Sequence, residues 1–196
     1  MKILIVYTHP NPASFNHAIL EAVESTLKGS GHDIRVKDLY QTGFKNVLDG
    51  GDFTQIMGGT IPDDIKEEHE DILWAEGLVF IYPVWWIDRP AQLKGWIDRT
   101  MLQGFAFDYS PEGMPTGLLK HQKAMVITTT GGPEEFYDQA QMKDMIRRPM
   151  CDGTLGFCGI QDVAYKAFFA VPHVTDDVRK GMLEEAKELT RTTFAG

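Results

Sequence analysis

Apolar residues run almost unbroken through Lys2–Tyr7 (KILIVY), Gly77–Tyr82 (GLVFIY) and Ala124–Thr130 (AMVITTT). Short runs of this kind, rich in Ile, Leu and Val, predict strands buried on both faces, as in the interior of a parallel sheet. Between them the period changes. Phe15, Ile19, Ala22, Val23, Thr26 and Leu27 recur at the spacing of one helix face. Ser14 stands at the N-cap position, and Gly29 to Gly31 stop the pattern. Asp33–Leu39 alternates and predicts a strand nearer a sheet edge. From Tyr40 to Thr60 the pattern dissolves into glycines and polar residues, which predicts a long surface excursion. Pro62 with Asp63 and Asp64 starts a second helix, with Ile65, Ile72 and Leu73 inward. Pro90 starts a third, with Leu93, Trp96 and Ile97 on one face. A helical region interrupted near Pro149 follows Thr130, and Ile160–Val171 holds the last strand. Thr175 caps a final helix with Val178, Met182, Ala186 and Leu189 facing in.

Strand and helix thus alternate along the whole chain, with no repeat, low-complexity tract or linker. The alternation predicts an α/β fold, a doubly wound five-stranded parallel sheet with helices on both faces, in a single domain over 1–196. Ligands in such sheets bind beyond the carboxyl ends of the strands, at the topological switch point. That rule selects three loops: His9–Asn16, Pro83–Arg89 and Thr129–Tyr137.

Composition narrows the function classes. The chain of 196 residues is 43% hydrophobic, enough for a substantial core, and carries a net charge of −9. No Lys/Arg-rich stretch offers a nucleic-acid footprint. Cys151 and Cys158 form neither a CxxC nor a zinc-like pattern, so they read as ordinary thiols of a reducing cytoplasm and no metal site is expected. The opening MKILIVY is too short for a signal peptide, and no run approaches the ~18 apolar residues of a membrane span. A soluble, cytoplasmic protein is expected.

The first loop, THPNPASFN, contains no GxGxxG, and no P-loop pattern occurs in the chain. Ser14, Phe15 and Asn16 nevertheless open a helix directly after a strand. Free amides there, with the helix dipole, suit an anion, and His9 can add a hydrogen bond or a positive charge. The alternative is a capped helix with a structural His9. The second loop, PVWWIDRP, sets Trp85 beside Trp86 between two prolines. Either one ring covers the sheet while the other faces a planar ligand, or both pack under the following helix. In the third loop, TTTGGPEEFY, Gly131 and Gly132 allow close approach of the backbone to an anionic or carbonyl oxygen, and Tyr137 offers a phenol. An ordinary strand-to-helix turn is the alternative. A flat aromatic, a phosphate and a carbonyl-bearing edge on one ligand describe flavin mononucleotide.

The motifs HPNPASFN, YPVWWIDRPAQLKGWIDR, GFAFDY, TTTGG and FCG, in that order, resemble the flavodoxin-like NAD(P)H:quinone oxidoreductase family. That family includes DT-diaphorase, small bacterial quinone reductases and ancillary subunits of potassium efflux systems. The resemblance covers essentially the whole chain. It implies a flavodoxin-like fold and an FMN enzyme that passes a hydride from NAD(P)H to flavin and then reduces a quinone or related acceptor, by ping-pong kinetics. It implies that His9, Ser14, Phe15 and Asn16 hold the phosphate and ribityl chain. Pro83, Val84, Trp85, Trp86 and Ile87 would run along the isoalloxazine, with the Trp86 and Ile87 amides toward N5 and O4. Thr129, Thr130, Gly131 and Gly132 would wrap the pyrimidine end, with Tyr137 near N1 and O2 as the catalytic phenol. It also implies a homodimer in which Phe107 and Tyr109 of GFAFDY reach the partner's acceptor pocket.

DT-diaphorase pairs its loop tyrosine with a histidine a few residues on, whereas this chain has no histidine between Tyr137 and Gly159, so no proton partner for Tyr137 is evident. The chain ends soon after its last predicted helix, which favours FMN over FAD. Two rival readings remain, a single-electron carrier of the flavodoxin type and a regulatory subunit associated peripherally with a membrane transporter.

Overall fold

The computed structural model describes residues 1–195. Five strands, β1 (Lys2–Tyr7), β2 (Asp33–Asp38), β3 (Gly77–Pro83), β6 (Lys123–Thr129) and β7 (Val163–Phe168), form one sheet in the order β2-β1-β3-β6-β7. Every pairing in it is parallel. A second, two-stranded sheet is a short antiparallel arm of β4 (Phe107–Tyr109) and β5 (Pro115–Gly117), an addition to the expected architecture.

The pleat divides each interior strand between two cores. On β1, Ile3, Ile5 and Tyr7 face α1 (Phe15–Gly29) and α7 (Asp176–Thr193), meeting Ile19, Val23, Leu27, Ala186 and Phe194. Leu4 and Val6 face the other side, against α3 (Asp63–Trp74) and α4 (Ala91–Thr100), in a core that holds Ile72, Leu93 and Trp96. Residues Gly77 to Pro83 of β3 are all buried, as their unbroken apolar run requires. The half-exposed β2 lies at an edge, as its alternation indicates. Strand order reverses at β1, so the switch point lies between the carboxyl ends of β1 and β3.

Three details differ from the expectation. The excursion after Tyr40 contains a helix, α2 (Gly50–Met57), whose Asp49 and Asp52 form a reciprocal capping box. Asp52 is buried because Arg99, itself 1% exposed, donates to it from Nε at 2.9 Å and from Nη2 at 3.2 Å. The guanidinium holds the Asp52 carboxyl down at about 2, and Arg99 Nη1 also reaches Asp64 at 2.5 Å, tying α2, α3 and α4 together. Leu73 and Val178, expected to face inward, are 69% and 46% exposed. Each lies one position off the buried stripe of its helix, which Ile72 and Ala186 define.

The segment between Thr129 and β7 is broken as Pro149 suggested. It comprises α5 (Glu134–Gln139), α6 (Lys143–Met150) and a single π-helical stretch, Cys151–Gly156, continuous with α6. Cys151 opens that stretch and Cys158 follows it, both buried, and burial pushes both thiols up to about 11. Such thiols are weak nucleophiles at neutral pH.

Candidate active site

The three loops picked out by the strand-end rule meet in one cavity of about 490 Å³. His9, Ser14, Phe15 and Asn16 line one part, Pro83, Val84, Trp85 and Trp86 another, and Thr129, Thr130 and Gly131 a third. Val171 and Pro172, outside the three loops, complete the wall. They follow β7, so the rule applied to the fifth strand end as well would have reached them. Val171 N–H donates to Thr130 O at 3.1 Å and Ala170 N–H to Gly132 O at 2.8 Å, which folds this fourth loop onto the third.

In the first loop, Ser14 Oγ accepts from His17 N–H at 3.2 Å and caps α1. The amides of Phe15 and Asn16 have no acceptor among the described residues. They sit at the positive end of a helix dipole, and no Lys or Arg lines the cavity, so backbone groups must bind any anion here. His9 Nδ1 lies 3.1 Å from Asn11 N and 3.2 Å from Asn11 O, which ties the ring to its own loop through Nδ1. Burial holds the His9 pKa below the ordinary histidine value. Lowering of this kind favours the neutral ring, a hydrogen-bonding group, over the imidazolium. Asn16 is buried; its Nδ2 donates to Thr129 Oγ1 at 2.8 Å, while its Oδ1 is buried with no partner. An orphaned buried acceptor beside free amides marks a place where a ligand hydroxyl fits.

The second loop answers why two tryptophans stand side by side. Trp85 N–H donates to Asp88 O at 2.9 Å and Asp88 N–H to Trp85 O at 3.1 Å, closing a two-residue turn. Its central residues, Trp86 and Ile87, take φ of 54° and 62°. Both are left-handed, the arrangement of a type I′ turn, which ordinarily selects Asn and Gly. A bulky and a β-branched residue there cost about 1–3 kcal/mol each. The two amides have no acceptor among the described residues. Neither indole packs under α4. Trp85 is 41% exposed, with its ring 6.1 Å from that of His9, and Trp86 is 99% exposed. Strain, free donors and an uncovered indole coincide on the rim of the cavity. Ile87 carries one of those donors although its side chain is outside the lining.

In the third loop Gly131 lines the cavity, and a Cβ built on it meets nothing. Gly132 lies behind it, where a Cβ would come 3.2 Å from the Tyr137 ring. The Gly131 and Gly132 amides are likewise free of acceptors among the described residues. Tyr137 is 6% exposed, packs its ring against Phe136 and Phe169, and is not part of the lining. Phe107 and Tyr109, on the arm, are also outside the cavity of their own chain. Phe107 stacks edge-on with Phe157 at 5.0 Å, and Tyr109 is 52% exposed. No cluster of three or more metal-ligating side chains occurs among the described residues.

The family model described as a flavodoxin-like fold matches residues 1–191, and the chain belongs to that family. A curated relative in Haemophilus influenzae, named an uncharacterised NAD(P)H oxidoreductase, is 32% identical over 97% of this chain and 95% of its own length. The human ribosyldihydronicotinamide dehydrogenase (quinone) is 32% identical over 98% of this chain and 92% of its own. Among solved structures, the NAD(P)H:quinone oxidoreductase of Methanothermobacter marburgensis superposes with a TM-score of 0.88 at 32% identity, covering 98% of this chain and 96% of that one.

Proposed function

We propose that this chain, an oxidoreductase by its family relationships, is an FMN-dependent NAD(P)H:quinone oxidoreductase. The observation that supports this most is the convergence, in one cavity without Lys or Arg, of free amides from three loops with the orphaned Asn16 Oδ1. The donor set fits FMN from end to end. The Phe15 and Asn16 amides, with Ser14 and His9, would take the phosphate. Asn16 Oδ1 would take a ribityl hydroxyl. The Trp86, Ile87, Gly131 and Gly132 amides would take the polar edges of the ring, whose flat face suits the Trp85 and Trp86 indoles. Bound FMN would supply the redox chemistry, taking a hydride from NAD(P)H and returning two electrons to the acceptor.

The protein's own part is binding, orientation and electrostatics. Amides held by a strained turn and by the Thr130–Val171 pairing are fixed before any charge develops, so they stabilise negative charge without reorganising. Tyr137 supports Gly132 from below. From behind that glycine its phenol would be the proton donor nearest the pyrimidine end of the ring. The arm presents Tyr109 to solvent, as a homodimer sharing its acceptor pocket across the interface would need. No helix among the described residues is long and apolar enough to cross a membrane.

Initial rates with NADH or NADPH and a soluble quinone, both varied, test the proposal. Parallel double-reciprocal lines support alternate occupation of one site. Intersecting lines contradict the alternation, and an FMN-loaded protein that oxidises neither nucleotide contradicts the activity.

A further inference from the structure

We infer that Arg89 is a positioning residue whose guanidinium, seated against the π-helix Cys151–Gly156, holds the Trp86–Ile87 turn in its left-handed form. The inference rests on reading the cavity as a flavin site, because it concerns two of the amides that reading uses. Two consecutive residues at positive φ without glycine persist only where their surroundings over-determine them. The turn's own side chains do little of this. Trp86 is fully exposed and Ile87 only half-buried. The incoming leg is held by Val84 N–H, which donates to Thr129 O at 2.8 Å. The outgoing leg has no such tie to the sheet. It has Arg89, whose side chain is 9% exposed. Arg89 Nη1 donates to Thr154 Oγ1 at 2.9 Å and to Pro149 O at 3.1 Å, and Thr154 Oγ1 donates to the same carbonyl at 2.9 Å. Arg89 Nε is buried and unpaired, 3.6 Å from Asp88 Oδ1. A guanidinium buried on neutral acceptors with one donor orphaned is a weak source of stability. It is an effective clamp, because Nη1 alone reaches both Thr154 Oγ1 and the Pro149 carbonyl, and a lysine ammonium would end one bond short of them.

The turn that follows this π-helix, at Cys158 and Gly159, grips the arm. Leu119 N–H donates to Cys158 O at 2.9 Å, and Gly117 crosses Gly159 so closely that a Cβ on it would fall 2.2 Å from Gly159 N. The Trp86–Ile87 turn and the arm are therefore fastened to one stretch of chain, Pro149 to Gly159. π-helical turns are rare and concentrate at functional sites.

The test uses Arg89→Met, Arg89→Lys and Thr154→Val, with the Trp86 and Ile87 amide resonances of the flavin-free protein and the dissociation constant of added FMN as readouts. Arg89→Met should displace the Trp86 and Ile87 resonances, leave those of Phe15 and Asn16 in place and weaken FMN by about 10- to 100-fold. Thr154→Val should act in the same direction by about 3-fold, and Arg89→Lys should not restore binding. Resonances that stay put in Arg89→Lys and Thr154→Val with wild-type FMN affinity would overturn the inference. So would equal displacement at Phe15 and Asn16, which would make Arg89 merely structural. A wild-type chain that takes neither FMN nor FAD, while its turn still responds to Arg89, would overturn the functional reading and leave the clamp standing.

Discussion

Asn16 Nδ2 donates to Thr129 Oγ1 at 2.8 Å, a single buried bond between the helix that follows β1 and the end of β6. It bridges the first and third loops, and it leaves Asn16 Oδ1 buried without a partner in a residue that lines the cavity. Asn16→Ala removes both the bridge and the acceptor. FMN binding should weaken by about 5- to 30-fold, the worth of one or two neutral hydrogen bonds. Fluorescence titration checks this, and wild-type affinity would place Asn16 outside the ligand's reach.

The two glycines of the third loop should separate folding from binding. A methyl group at Gly131 meets no protein atom, so Gly131→Ala should hold stability within about 0.5–1 kcal/mol of wild type, on the favourable side if it changes. It should nonetheless weaken FMN by occupying the cavity. Gly132→Ala pushes on the Tyr137 ring and should lower stability by about 1–2 kcal/mol. Chemical denaturation of the flavin-free variants measures both.

Trp86 gives a contrasting expectation. Its indole makes no packing contact to lose, and glycine suits its φ of 54°. Trp86→Gly should leave the flavin-free protein as stable as wild type or up to about 1 kcal/mol more so. It should also slow turnover with quinone. A stability loss above that range would mean the indole packs in solution against something a single chain does not provide, a partner subunit foremost.

The Arg99–Asp52 pair should set the acid limb of stability. The carboxyl of Asp52 lies at about 2 in the folded protein, below its ordinary 3.8. Its contribution is therefore complete above pH 3.8 and is lost as pH falls toward 2. Arg99→Met removes the main partner of a buried carboxylate, leaving it only the half-exposed Lys45 at 2.9 Å, and should cost about 3 kcal/mol at neutral pH, the low end for breaking a buried pair. Urea titrations at descending pH should show the gap to wild type narrowing across that window. A gap independent of pH would assign the loss to packing alone.

Much of the framework was legible because it rests on local patterns. The continuous runs of β1, β3 and β6 can only be interior strands, and the strand-end rule then brings together loops far apart in sequence. Less legible were features created by tertiary context. α2 begins on two glycines and exposes Phe53 and Met57, so its apolar period is weak. It is held by a capping box and by Arg99, whose role in WIDR looks from the sequence like one more charge on a helix face. The left-handed turn at Trp86–Ile87 carries no Gly or Asn to announce it, because its conformation is imposed by Pro83, Pro90 and the seat of Arg89. Val171 and Pro172 carry no motif of their own; they join the wall because they follow β7, the fifth strand end, to which the same strand-end rule applies.

The central claim is that this cavity binds a flavin that NAD(P)H reduces. Its most direct measurement is the visible absorption spectrum of the purified or FMN-reconstituted protein, followed anaerobically through addition of NADH or NADPH and then of a quinone. The account predicts a yellow protein that releases FMN equimolar with the chain on denaturation, bleaches on addition of the nucleotide and recovers its colour with the quinone. A protein that cannot be loaded with FMN or FAD, or one whose bound flavin keeps its colour in the presence of both nucleotides, would contradict it.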